Sequence, residues 1–413
     1  MIDPRGLDRL DISLGQIRRI IRDFELEMER GLFGQKSSLK MIPTYVSRPT
    51  GKEIGKFIAL DLGGTHFRIL ELTLKGSGKT GASNVMKFAL AKKHITGSAG
   101  MFFGFIAGCV KVFLKKYKLE SADELDLGFT FSFPVKQAGL AGGSLVCWTK
   151  DFNVRGVIGN DVVELLRAAL AKKDIRNVKI AALANDTVGT LVAKSYRDRN
   201  CDVGVIIGTG TNACYPEARL GGMIINVEWG DFDKLKLTAY DRELDKKSDN
   251  PGRQIMEKAV SGMYLGRIAS LVVKDLLGLK PKLKTEDMSI IENDHSAGLA
   301  KTASALKKAG IAKCTPEERR RVKNICETVS GRGARISAAC IAAIIKRMDT
   351  NLLRRHTVAI DGSVYEKHPT FAKNMKSCLK EIFGSKSNLI KIALTKDGSG
   401  KGAAIIAAVA ASR

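Results

Sequence analysis

Asp186 is the residue whose setting most suggests chemistry. It stands in "AALANDTVGTL", Ala181 to Leu191, where an apolar strand ends in Asn185-Asp186-Thr187 and a helix begins. Aspartate is a favoured helix N-cap, so capping is the plain reading. The other reading is a general base: open α/β sheets gather ligands at the carboxyl ends of their strands. A carboxylate positioned there to take a proton contributes roughly 10²–10⁴ in rate. Four glycine turns could supply the counterpart, because bare backbone N–H groups approach phosphate oxygens closely. They are Asp61-Leu62-Gly63-Gly64-Thr65 (followed by His66 and Arg68), Gly208-Thr209-Gly210-Thr211-Asn212, Asp361-Gly362-Ser363 and Asp397-Gly398-Ser399-Gly400. One such turn is usually a plain hairpin; four together point to an anionic ligand. Ser132 between phenylalanines, and Thr149 and Lys150 beside Trp148, either pack loops or hold a polyhydroxylated ligand. Glu228 and Glu257 are acids in glycine-flanked stretches, exposed carboxylates unless something gathers them. "KGSGKTGA", Lys75 to Ala82, ends like a phosphate-binding loop, but Thr73 stands where its opening glycine belongs, so it reads as a surface loop.

The elements that must position these residues follow from periodicity. Residues 11–30 repeat apolar side chains at helical spacing, and 101–117 and 160–172 also read as helices. Residues 56–61 and 68–74 read as strands joined by the Gly-Gly turn, 126–133 as a strand stopped by Pro134, and 178–183 as a short buried strand before Asp186. The pattern restarts at "DVGVIIGTGTNACY", Asp202 to Tyr215, and the last glycine turn runs into an Ala-rich helix. Two similar hairpin starts within strand–helix alternation predict two related α/β domains. Residues 272–330 read as Lys-rich surface helices with loops.

Of 413 residues, 44% are hydrophobic, which suits a globular chain of two or three domains. No uninterrupted apolar run approaches the roughly 18 residues that span a bilayer, and the charged N-terminus does not read as a secretory signal. Eight scattered cysteines without C-x-x-C pairs read as reduced thiols in an intracellular protein with no metal framework. The formal charge is +25, and residues 301–413 carry 23 Lys+Arg against 8 Asp+Glu. Such a face would draw an anionic surface or steer a polyanionic substrate; its plain reading is a solvated basic surface. No aromatic-interleaved basic repeat, helix-turn-helix or zinc-finger pattern accompanies it, so no sequence-specific nucleic-acid binding is expected.

Taken in order, L-D-L-G-G-T-x-F-R, G-F-T-F-S-F-P, W-T-K, N-D-T-V-G-T, I-I-G-T-G-T-N-A-C-Y, E-W-G, N-P-G-x-Q-x-x-E-K-x-x-S-G-M-Y-L-G, D-G-S-V-Y and D-G-S-G-K-G-A-A resemble the eukaryotic hexokinase family, from about residue 10 to the C-terminus. The resemblance implies an α/β fold of two RNase-H-like (actin-type ATPase) domains flanking a sugar/ATP cleft. Residues 56–192 would form the small domain, completed by 394–413, and 193–393 the large one, completed by 1–55. It implies transfer of the ATP γ-phosphate to the 6-hydroxyl of glucose or a similar hexose. Sugar contacts then fall on Ser132, Thr149, Lys150, Asn185, Asp186, Asn212, Glu228 and Glu257, with Asp186 the base and Lys150 balancing charge. Gly63, Gly64, Thr65, His66 and Arg68 would face the ATP phosphates, with Asp61 acting through Mg²⁺ and its waters. Thr209, Asp361, Gly362 and Ser363 would form the second phosphate-binding side, and Gly398, Ser399 and Gly400 would lie by the adenosine.

The sequence departs from the family at His66, where asparagine is usual, at Ser363, where threonine is also common, and in shorter segments at 214–228 and 272–320. The cysteine-rich zinc motif of bacterial ROK sugar kinases is absent. Two further readings stay open: a hexokinase-like glucose sensor with weakened catalysis, and an actin-fold ATPase whose basic surface binds a polymer. The expected location is cytoplasmic. Arg9-Leu10 with Gln16-Ile17 loosely resembles a peroxisomal or glycosomal address, and also makes an ordinary amphipathic helix.

Overall fold

The computed structural model describes residues 7, 10–63, 66–148 and 152–412, with the backbone alone for His66 and Ala82. Helix α1 (Leu14–Leu32) opens on a reciprocal capping box between Ser13 and Gln16, and Ile17, Ile20, Ile21, Phe24 and Met28 form its buried stripe. There follow β1 (Ile42–Ser47), β2 (Ile54–Leu62), β3 (His66–Lys75), β4 (Thr80–Ala89), α2 (Ala99–Lys116), β5 (Leu125–Phe131), β6 (Val135–Gly139), β7 (Gly142–Leu145), α3 (Val162–Lys172), β8 (Val178–Ala184) and α4 (Asp186–Ser195). The chain continues through β9 (Cys201–Ile207), β10 (Thr211–Glu217), β11 (Met223–Asn226), α5 (Ala239–Lys246), α6 (Leu265–Leu277), α7 (Thr285–Glu292), α8 (Ala300–Lys308) and α9 (Pro316–Met348). It ends with β12 (His356–Asp361), α10 (Phe371–Phe383), β13 (Ile390–Leu394) and α11 (Gly398–Ala411).

The two main sheets repeat one topology. In the first the order is β4-β3-β2-β5-β8, and in the second β11-β10-β9-β12-β13, with β1 added beside β11. Each consists of an antiparallel meander followed by two parallel strands. The sequence-level expectation of two related hairpin starts therefore agrees with the strand order. The "KGSGKTGA" stretch is the β3–β4 hairpin turn, with Gly76 and Gly78 at positive φ.

One apolar cluster packs α1, α5, α6 and α9 against the second sheet, and another packs α2 and α3 against the first. A third joins the lobes: Phe57, Leu70, Val188, Leu191, Cys214 and Ala359 meet the Ala403–Ala408 stretch of α11. Within it α4 and α11 touch backbone to backbone. A Cβ on Gly402 would lie 1.9 Å from the Gly189 carbonyl oxygen, and one on Gly128 would lie 1.9 Å from that of Ala403.

The reading of 272–330 as surface helices is corrected in its last part. Helix α9 runs on to Met348, and its buried face includes Val322, Ile325, Val329, Ile336 and Ile341. Its basic first turns hid a core helix whose small residues let neighbours approach. It is also the one helix among the described residues long and apolar enough to cross a membrane, which the search for unbroken apolar runs passed over; 89% of its apolar window is buried within the protein.

Candidate active site

The strand β8 ends where α4 begins, and that junction separates two roles. Asn185 is the N-cap: its Oδ1 accepts the Thr187 N–H at 2.9 Å. Asp186 is the first helical residue, its Oδ1 accepting the Thr187 N–H at 2.8 Å. The helix therefore does not need Asp186 as its cap. Its side chain lines a cavity of about 480 Å³ together with Asp61, Gly63, Arg68, Ser132 and Ser399.

The phosphate-like corner of this cavity is built by register. Asp61 on β2 lies directly opposite Arg68 on β3, and Arg68 Nε reaches Asp61 Oδ2 at 2.7 Å. Arg68 also donates to Ser399 Oγ at 3.0 Å and pairs with Asp397, while Ser399 Oγ donates to Asp61 Oδ2 at 2.9 Å. Burial pushes the Asp61 carboxyl up; Arg68 and Ser399 oppose this, and the Asp186 charge adds to the rise. Asp361 is also raised by burial, against the Gly362 and Gly398 N–H groups and Arg68, with Asp186 again pushing upward. The Asp186 charge thus raises both Asp61 and Asp361 while Arg68 opposes both, an arrangement that favours a further cationic group beside these carboxylates. Among the described residues no three acid, histidine or cysteine side chains form a metal site by themselves. A cation here would need further ligands from a bound molecule.

The second polar group sits at the other sheet. Asn212 Nδ2 donates to Asn226 Oδ1 at 2.8 Å and to Glu228 Oε1 at 2.7 Å, and Asn226 Nδ2 donates to the same Glu228 oxygen at 2.8 Å. Lys40 Nζ stands 3.9 Å from Glu228 and 3.0 Å from Asp231. Asn185, Asn226, Glu228 and Lys40 line one small cavity with Phe131 and Phe133. Because Asn185 and Asp186 are adjacent, this cavity and the Asp186 cavity meet at the start of α4. Glu257 Oε2 accepts the Thr211 N–H at 3.0 Å; a Cβ on Gly210 would come within 2.7 Å of that oxygen, so the turn needs glycine there. Glu228 and Asp397 have φ of +56° and +57°. Left-handed backbone at non-glycine residues is a strain that clusters at functional sites.

The structure thus brings together Asp61, Gly63, Arg68, Ser132, Asp186 and Ser399 at one cavity, and Asn185, Asn212 and Glu228 beside it. Gly64, Thr65, Thr149 and Lys150 lie outside the described residues, as does the His66 side chain. Gly398–Gly400, expected beside the adenosine, pack at the Asp61–Arg68 corner. Ser399 bonds Asp61 and Arg68, and a Cβ on Gly400 would meet Arg68 Nε at 3.1 Å. Thr209 and Ser363 instead border a separate cavity of about 960 Å³. The Asp361-Gly362-Ser363 turn stands between the two, receiving the Gly398 N–H on one side and packing on Gly208 on the other. A further cavity of about 1300 Å³ between α1, α5 and α9 contains none of these residues.

Sequence reasoning missed Asn226, Lys40 and Lys87, and gave Asp397 no role beyond its glycine turn. Asn226 sits two residues before Glu228, so spacing alone could have flagged it. Lys40 and Lys87 reach the cavities only through tertiary packing.

Comparison with known proteins gives a consistent result. Two family models, each described as hexokinase, match residues 5–196 and 202–409. The chain is 39% identical over 442 aligned residues to Hexokinase-2 of Equus caballus, covering 98% of this chain and 47% of that protein. It is 38% identical over 443 aligned residues to Hexokinase-1 of Spinacia oleracea, covering 97% and 89%. The chain spans about half the length of the mammalian relatives it matches. The structure of a hexokinase from Schistosoma mansoni complexed with glucose superimposes with a TM-score of 0.85 at 35% identity, covering 98% of this chain and 97% of that one. A ROK family glucokinase from Streptomyces griseus shares the fold alone, at a TM-score of 0.50 and 13% identity. With the actin-like two-sheet fold and matches along nearly its whole length, the chain belongs to the hexokinase family.

Proposed function

We propose that the protein transfers the γ-phosphoryl group of ATP to the 6-hydroxyl of glucose or a similar hexose. The observation that carries this reading is Asp186, relieved of capping by Asn185 and facing the same cavity as Asp61, Arg68 and Ser399. The bond broken is between the β–γ bridging oxygen and the γ-phosphorus, and the bond formed joins that phosphorus to the sugar oxygen. Asp186 takes the hydroxyl proton. Phosphoryl transfer depends on positioning and charge neutralisation, with little covalent work for the protein.

Asn212, Asn226 and Glu228 hold one another in fixed directions and so present oriented acceptors and donors to sugar hydroxyls. A site built in this way rejects analogues lacking a hydroxyl, because its own polar groups would be left unpaired. Ser132, Asn185 and Glu257 complete that role, with Thr149 and Lys150 as contacts argued from sequence. Arg68 and the turns at 63–65, 208–211 and 361–363 would hold the triphosphate. Magnesium carried by the nucleotide would supply charge neutralisation there, with Asp61 and Asp361 as the carboxylates suited to hold it. The nucleoside then fits beside Thr209 and Ser363, which border the adjoining cavity. The glucose complex of the Schistosoma mansoni relative supports glucose as the first sugar to test.

The test is a coupled assay of glucose 6-phosphate formation with Mg-ATP, run beside Asp186→Ala. Turnover by the natural chain that is lost in the variant, with glucose still bound, is the expected result. Near-normal turnover in the variant would remove Asp186 as the base. No turnover by a natural chain that binds glucose would favour the sensor reading instead.

A further inference from the structure

The cavity beside Thr209 and Ser363 carries more positive charge than an uncharged nucleoside needs. Lys247, Arg267, Lys282, Lys284 and Lys367 line it, against one acid, Glu286. Lys247 is tied to Glu243 at 2.6 Å. Among the described residues no ion pair engages Arg267, Lys282, Lys284 or Lys367.

Two of these lysines stand on an unusual support. In "LKPKLKT", Leu279 to Thr285, burial alternates: Pro281, Leu283 and Thr285 are buried, while Lys280, Lys282 and Lys284 are exposed. Alternation with period two in extended backbone sends every second side chain to the same side, about 6.6 Å apart. The segment is fixed along its length. The Lys282 N–H donates to the Ala309 carbonyl at 2.8 Å, Leu283 N–H to Ser270 Oγ at 2.9 Å, and Lys284 N–H to Asp287 Oδ2 at 2.9 Å. A Cβ on Gly266 would lie 2.5 Å from the Lys284 carbonyl carbon, so helix α6 lies directly against it. Lys367 is held next to this row by Ser289 Oγ, which donates to its carbonyl at 2.7 Å. Backbone bonds thus hold Lys282, Lys284 and Lys367 beside one cavity that also borders Thr209 and Ser363.

We infer that this cavity binds linear inorganic polyphosphate, in competition with ATP. The inference rests on the phosphoryl-transfer reading of the neighbouring turns. Four cations without a carboxylate partner among the described residues, Arg267 over the Tyr264 ring and Lys282, Lys284 and Lys367, suit a flexible chain of repeating negative charge. The triphosphate of ATP, lying at the Arg68 side of the 361–363 turn, would leave them unused. A polyphosphate chain occupies the nucleoside position with charge throughout and meets all of them.

The experiment is inhibition of Mg-ATP-dependent glucose phosphorylation by short linear polyphosphate, with free magnesium held in excess. The expected result is a rise in the KM for ATP at unchanged kcat. In Lys282→Gln/Lys284→Gln/Lys367→Gln the inhibition constant should rise about tenfold, the loss of three exposed charge contacts. A control triple on α2, Lys111→Gln/Lys115→Gln/Lys116→Gln, removes the same charge elsewhere and should move it less than about twofold. No inhibition, inhibition that ATP does not relieve, or equal loss in both triples would overturn the inference and leave the kinase reading intact. Absence of any ATP turnover would count against the kinase reading. Calorimetry of polyphosphate binding to the natural chain and both triples then decides the site by the same comparison.

Discussion

Asp61 and Arg68 face each other across the β2–β3 pair, and the arginine Nε meets the aspartate Oδ2 at 2.7 Å. Because Asp397 and Ser399 join them, a β-hairpin and the start of the last helix converge on one carboxylate–guanidinium pair.

Removing one partner of such a pair strands the other charge in a buried setting. Arg68→Gln should destabilise the protein by about 3 kcal/mol, the lower end for a broken buried pair. Adding Asp61→Asn should restore part of that loss. Urea unfolding midpoints for the single and double variants read it directly, and a double variant no more stable than Arg68→Gln would mean the two are not coupled.

The Asn185–Asp186 junction separates the capping side chain from the proposed base. Asn185→Ala should cost about 1 kcal/mol of stability, as cap removals do. Asp186→Asn should leave the melting temperature nearly unchanged while reducing kcat by roughly 10²–10⁴. A large stability loss in Asp186→Asn would show that the carboxylate supports the fold instead.

Helix α4 carries Asp186 and is seated on α11 through Gly189 and Gly402. Gly402→Ala would drive a methyl group into the Gly189 carbonyl, and overpacking of this kind costs about 1–3 kcal/mol. Since the displaced helix carries Asp186, kcat should fall as well as stability. Gly139→Ala, where an added Cβ meets nothing within 4 Å, serves as the control. Equal behaviour of the two alanines would discount the contact.

Acid should loosen the segment between α7 and α8. Burial works to raise the Asp294 carboxyl, but bonds from Ser296 and Thr302 outweigh it and hold the group well below its usual 3.8. A depressed folded-state value means the unfolded chain binds the proton more readily. The stabilisation is therefore present above about pH 4 and is lost as pH falls toward the depressed value. Asp294→Asn should remove that part of the acid dependence while lowering stability at neutral pH. Thermal melting between pH 3 and about 6 compares the two slopes, and parallel curves would count against Asp294.

Much of this was legible from residue order. The strand before Asp186, the glycine turns and the restart at Asp202 all express local backbone requirements, so sequence spacing carried them. Two features depended on tertiary packing. The basic N-terminal turns of α9 masked a helix that is mostly core. Ser399 could not be assigned to Asp61 and Arg68, because that contact spans 338 positions and depends on α11 crossing the first sheet. Asn226 illustrates a third case: its neighbour Glu228 was visible, but the bonds that join them to Asn212 require the β10–β11 register.

The placement of α11 also bears on how the chain matures as it is made. The first sheet is complete in strands once residue 184 has emerged, yet the helix that buries Phe57, Leu70 and Ala182 begins only at Gly398. Until then those side chains and the Asp61–Arg68 corner wait without their cover, through the synthesis of residues 185–397. Contacts so distant in sequence form slowly and leave apolar surface exposed meanwhile. The Asp61–Arg68 corner is therefore completed only after α11 has been made, and the first lobe is the part of the nascent chain that waits longest for its cover.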